Sequence, residues 1–123
     1  MPIRSSIRVS WIRYIKLLID ENLPKRLNVD FPEHEIFTVS DKKWNSKKNG
    51  ELLELMIDEG FDVLLTFDKN LQYQQNFKKY PISVLILNAE DNTYRTLKQL
   101  VPIIQKFLAS DLNVGPTVVS ARV

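Results

Sequence analysis

Phe61-Asp62-Val63-Leu64-Leu65-Thr66-Phe67-Asp68 is the stretch that decides the fold of this chain. Its apolar run is too short for anything but a strand, and it ends directly in an acid. Short continuous apolar runs bounded by polar residues mark strands buried on both faces, the kind that parallel sheets are built from.

The same pattern recurs on either side. Ile15 to Ile19 is apolar apart from Lys16 and stops at Asp20. Glu35 to Val39 reads as a second strand between the Phe31-Pro32 turn and the polar segment Ser40 to Lys48. Ile82 to Leu87 gives a fourth, and Thr117 to Val119 a short last edge strand.

Helical signals fill the gaps. Asn22 and Pro24 open a short helix over Leu23 to Val29, with Pro where a first-turn N–H has no partner anyway. Asn49 caps a helix from Gly50 to Glu59 whose stripe is Leu52, Leu53, Leu55, Met56 and Ile57, closed by Gly60. A polar helix follows over Asn70 to Phe77. The longest spans Thr93 to Leu108, with Leu97, Leu100, Val101, Ile104, Phe107 and Leu108 on one side. Strands alternating with helices imply right-handed crossovers, hence an α/β fold: a three-layer α/β/α sandwich around a mostly parallel sheet.

At 123 residues one hydrophobic core is the expectation. The organisation read from the sequence is a basic leader at 1–14, a domain at 15–110 and a tail at 111–123. Arg4, Arg8, Arg13 and Lys16 meet no acid before Asp20, so the net charge of +2 comes from the leader and says little about nucleic acid. The leader is open to three readings: a misplaced start, a flexible tail or a basic arm. No cysteine is present, which excludes disulfides, thiolate nucleophiles and Cys-based metal sites and favours a reducing cytoplasm. No apolar run approaches the roughly 20 residues of a membrane span, and no signal-peptide core is found at the start.

Ligands of open parallel sheets bind outside the carboxyl ends of the strands. Asp20 and Asp68 each follow a strand, and Glu51 lies in the first turn of the helix that strand two leads into, so all three are expected on one rim. Clustered carboxylates repel unless a cation neutralises them, and oxygen-only ligands suit Mg²⁺ or Mn²⁺. Such a cation activates water and stabilises charge on a phosphate. Taken singly, each acid also has a plainer explanation, as a helix cap or a complement to a helix dipole.

The strings Leu17-Leu18-Ile19-Asp20-Glu21-Asn22-Leu23-Pro24, Asn49-Gly50-Glu51-Leu52-Leu53 and Phe61 to Leu71 resemble PIN-like domains related to VapC-type toxin ribonucleases. The resemblance covers about Lys16 to Leu108. It implies a metal-dependent endoribonuclease, the toxin half of a toxin–antitoxin pair, with Asp20, Glu51 and Asp68 as catalytic metal ligands. It also implies an RNA substrate, an antitoxin partner and a homodimer. Asp91 either supplies a fourth acid or caps the last helix. Glu21 is a ligand or a partner for Lys25. Thr66 positions Asp68 or a phosphate, or reflects strand propensity alone. Tyr73, Gln74, Gln75 and Asn76 line a substrate groove or form a solvated helix face.

Trp44, flanked by Lys42, Lys43, Lys47 and Lys48, either stacks on an unpaired base or folds onto the core. His34, the only histidine, reads as a surface residue. Two other functional classes compete with the nuclease. A receiver-like phospho-acceptor domain would use the Asp20–Glu21 pair and Asp68, but no Lys-Pro follows a later strand. A catalytically weak module would retain the fold and dock a partner.

Overall fold

The computed structural model describes residues 14–74, 76–110 and 112–121. The leader up to Arg13, Gln75 and the start of the expected tail at Asp111 lie outside them. Five strands, β1 (Lys16–Ile19), β2 (Glu35–Thr38), β3 (Val63–Thr66), β4 (Ser83–Asn88) and β5 (Gly115–Ser120), form one sheet in the order β2-β1-β3-β4-β5. Every neighbouring pair is parallel.

Alternation along the strands divides the core in two. Leu17, Ile19, Val63, Leu65, Leu85 and Leu87 point to one side, where they meet Leu27, Phe31, Leu97, Leu100, Ile104 and Leu108. Leu18, Leu64, Val84 and Ile86 point to the other, against Leu52, Leu53, Met56 and Leu71. Burial on both faces explains why these strands are almost wholly apolar. The result is the three-layer α/β arrangement expected from the sequence.

Several elements differ from expectation in ways the chemistry explains. The first helical segment is a 3-10 turn, Lys25–Asp30, in place of an α-helix over Leu23 to Val29. Strand two stops at Thr38, because Thr38 and Asp41 form a reciprocal cap that starts a one-turn helix, α1 (Val39–Lys42), where a strand end and loop were expected. Helix α2 (Asn49–Asp58) takes Lys48 as its N-cap residue, and the Asn49 side chain makes no cap bond because it turns elsewhere. The polar helix shrinks to one turn, α3 (Leu71–Gln74).

The long last helix is broken into α4 (Tyr94–Leu97), a 3-10 turn (Lys98–Leu100) and α5 (Val101–Ala109). Pro102 lies at the second position of α5, where its missing N–H and fixed ring are tolerated as they would not be in an unbroken helix. At the carboxyl end of the chain the expected edge strand is present and longer than Thr117 to Val119: β5 pairs with β4 over six residues from Ser83↔Gly115 to Asn88↔Ser120. Among the described residues no helix is long and apolar enough to cross a membrane.

Candidate functional site

The chain leaves β1 for β2 through the layer holding Leu27 and Phe31, then reaches β3 on the other side of β1 through the layer holding α2. The point between β1 and β3 where the connections part is where parallel sheets open a crevice at their carboxyl ends. The register Ile19↔Leu65 puts Asp20 level with Thr66 at that point, and the Asp20 N–H donates to the Leu65 carbonyl at 2.9 Å.

Asp20 is only 7% exposed. Its Oδ1 accepts from the Glu21 N–H at 2.8 Å and its Oδ2 from the Thr66 hydroxyl at 2.7 Å. Burial pushes its carboxyl above the ordinary aspartate value, the two hydrogen bonds pull it back, and the negative charges of Glu21 and Asp68 push the same way as burial. Among the described residues no basic side chain pairs with it.

Asp68 lies two residues beyond β3 and is half-buried. Its Oδ1 accepts the Asn70 N–H at 3.0 Å, the turn that launches α3, and its Oδ2 accepts Asn49 Nδ2 at 3.3 Å. Its own N–H donates to Thr66 Oγ1 at 3.1 Å. Thr66 is fully buried, and its hydroxyl links the Asp20 carboxylate to the Asp68 backbone N–H through a single oxygen.

Glu51 does not join them. Its carboxylate turns to Lys47, in the loop just before α2, at 3.5 Å and in solvent. Among the described residues no three His, Cys, Asp or Glu side chains gather into a group able to hold a metal ion, so the expected three-acid cluster is present only as the Asp20–Asp68 pair. Asp91 is exposed and its Oδ1 accepts the N–H and hydroxyl of Thr93, 3.0 and 2.7 Å away, which makes it a turn residue ahead of α4. Those bonds hold its carboxyl below the usual range. Glu21 accepts from Asn45 Nδ2 and the Ser46 N–H at 3.3 and 3.4 Å, and so braces the loop before α2 instead of pairing with Lys25.

Trp44 is folded inward, 8% exposed, edge-on to Phe61 at 5.8 Å with the Lys42 ammonium over its ring. It is a core residue and unable to stack on a base. Tyr73, by contrast, is 80% exposed on α3, directly after the Asp68 turn. Gln74 and Lys48 are exposed on the same α3 and at the start of α2, and Lys69, whose ammonium lies 4.3 Å from the Phe67 ring centre, adds a cation next to Asp68. His34 accepts the Ile15 N–H through Nδ1 at the opposite, amino end of the sheet, and burial lowers its basicity. Comparison with protein-family models, curated proteins and solved structures gives no match.

Two residues that read as helix signals in the sequence belong to the site instead. Asn22 donates from Nδ2 to Thr66 Oγ1 at 3.3 Å and accepts the Phe67 N–H at 3.1 Å. Asn49 holds Asp68. Their spacing from Asp20 and Glu51 was visible, but nothing in the sequence separates an Asn that caps from an Asn that reaches across a crevice.

Whether the site suits a divalent cation is decided by its donor set. A buried carboxylate beside two other acids, with no basic partner among the described residues, is a site that a cation would relieve. Mg²⁺ is often held by one or two carboxylates with water and substrate phosphate completing the shell, so Asp20 and Asp68 suffice as protein ligands. The residues present fit.

Proposed function

We propose that the chain is a Mg²⁺- or Mn²⁺-dependent endoribonuclease, with Asp20 and Asp68 holding the cation at the β1–β3 crevice. The observation that carries this reading is the buried Asp20 carboxylate, which feels the charge of Asp68 and is tied through the Thr66 hydroxyl to the Asp68 backbone N–H. The PIN-like resemblance supports RNA as substrate and a toxin–antitoxin setting, with a cognate antitoxin and a second copy of the chain as partners in the cytoplasm.

When bound, the cation supplies Lewis-acid stabilisation of a phosphodiester and activation of a water. The protein's own part is to orient. Thr66 aims Asp20, Asn49 aims Asp68, and Lys48 and Lys69 offer charge for neighbouring phosphates. Glu51 enters this scheme as a carboxylate released from Lys47, since an exposed pair is worth only about 0.2–1 kcal/mol and yields readily. The direct test is cleavage of single-stranded RNA with Mg²⁺ or Mn²⁺ and with EDTA. Cleavage that persists in EDTA rejects the metal-dependent reading.

Base contact is assigned to Tyr73. Stacking on an exposed aromatic contributes about 1–3 kcal/mol per base, so Tyr73→Ala is expected to weaken RNA binding by about fivefold or more. Trp44→Phe, a change inside the core, is expected to leave RNA affinity unchanged. Fluorescence anisotropy with a labelled oligonucleotide reads both, and the reverse ranking would return base stacking to Trp44.

One observation favours a second reading. The strand order β2-β1-β3-β4-β5 is also that of receiver-type signalling domains, which place acids at the ends of the first and third strands. Incubation with a small phosphodonor separates the two. A stable acyl phosphate on Asp68, without RNA cleavage, would make the protein a phospho-acceptor.

A further inference from the structure

We infer that Asn22 is a positioning residue for the Asp20–Asp68 pair, acting through the proton of Thr66. The inference rests on the metal-site reading above and adds to it the group that sets the direction of the central hydrogen bond.

A threonine hydroxyl has one proton to give and two lone pairs to fill. At Thr66 Oγ1 both acceptor positions are taken, one by the Asp68 N–H at 3.1 Å and one by Asn22 Nδ2 at 3.3 Å. The remaining direction is the proton, and it lies on Asp20 Oδ2 at 2.7 Å. The Asp68 N–H is a backbone group that cannot act otherwise, so the adjustable member of the set is Asn22.

Its carboxamide is itself fixed. Oδ1 accepts the Phe67 N–H at 3.1 Å, which forces Nδ2, the donor end, toward Thr66. The Asn22 carbonyl accepts from Asn92 Nδ2 at 2.9 Å, tying the loop after β4 to the same residue. Asn22 thus has its backbone anchored by one loop, its acceptor by β3's end and its donor free for one target. A side chain held this way keeps Thr66 donating to Asp20 and leaves the outward lone pairs of Asp20 presented to the crevice.

Outer-shell partners of this kind cost roughly 10–100-fold in metal affinity when removed. The test is Mn²⁺ affinity of the full chain, by calorimetry or electron paramagnetic resonance, for wild type, Asn22→Ala, Thr66→Val and the double variant, with melting curves alongside. Asn22→Ala is expected to bind Mn²⁺ roughly tenfold more weakly. The double variant is expected to match Thr66→Val alone, because the two residues act in series, and Thr66→Ser is expected to restore wild-type affinity. Should Asn22→Ala fail to fold, Asn22→Ser carries the same comparison, being too short to reach Phe67 and Thr66 together.

Wild-type affinity in Asn22→Ala, or additive losses in the double variant, would overturn the inference while leaving the metal site standing. A wild-type protein that binds no Mn²⁺ would remove the metal site and the inference with it.

Discussion

Asp68→Asn and Asp20→Asn are each expected to lower metal-dependent RNA cleavage by at least about 100-fold while leaving the fold intact, given what ligands and their close partners contribute at metal sites. Both substitutions remove one negative charge and keep the side-chain volume. In Asp68→Asn the retained oxygen still accepts the Asn70 N–H, so the turn into α3 survives. In Asp20→Asn it still accepts the Glu21 N–H, while the new amide forfeits the single bond from Thr66, a local loss that leaves the secondary structure in place. Circular dichroism checks the fold and a gel assay the cleavage. Variants as active as wild type would reject both residues as ligands.

The stability of the same variants carries a sign of its own. Burial raises the Asp20 carboxyl above its unfolded value of 3.8, so the folded chain holds that proton more tightly than the unfolded one. The stabilising contribution is complete below the unfolded value and disappears as pH rises through the higher folded value. At neutral pH, charged Asp20 is therefore a burden on the apo fold. Asp20→Asn, which has no such titration, loses the Thr66 bond at every pH, and its stability relative to wild type is expected to improve as pH rises from about 4 to 7. A bound cation removes the same burden, so Mn²⁺ should raise the melting temperature of wild type and not that of Asp20→Asn. Parallel curves across that range, with equal responses to Mn²⁺, would mean that Asp20 titrates as an ordinary surface carboxylate.

What the sequence made legible follows from period and position. Runs such as Val63 to Leu65 are apolar because both faces are covered, so the parallel sheet and the rim positions of Asp20 and Asp68 were readable from residue type alone. What it hid were choices between partners of the same chemical kind. Glu51 sits four residues after Lys47, which lies in the loop just before α2, and this local pair prevails over convergence with the distant acids. Trp44 has lysines around it in the chain, yet its ring is covered by Phe61 while the ammonium of Lys42 serves as a lid. Thr38 looked like the end of a strand, but with an acid three residues on it became a cap. Pro102 sits where the last helix restarts, a break that the apolar periodicity running straight across it concealed.

Thr66→Val is expected to destabilise the fold by about 3 kcal/mol, near the upper end for stranding a buried polar partner. The valine fits the space, and that is why the loss is informative: volume is conserved and only the hydroxyl goes. Asn22 Nδ2 and the Asp68 N–H lose their acceptor, and Asp20 Oδ2 loses its donor, all at a residue with no exposed surface. Thr66→Ser keeps all three bonds and gives up one methyl, which costs about 1 kcal/mol. Urea titration ranks the two. The deficit of Thr66→Val should also depend on pH, because the Thr66 hydrogen bond favours the charged form of Asp20. Without it the folded carboxyl titrates higher still, so the gap from wild type widens as pH rises from about 4 to 7. A gap of constant size would place the cost in packing alone and remove Thr66 from the electrostatics of the site; a widening gap ties the stability of β3 to the charge it has to hold.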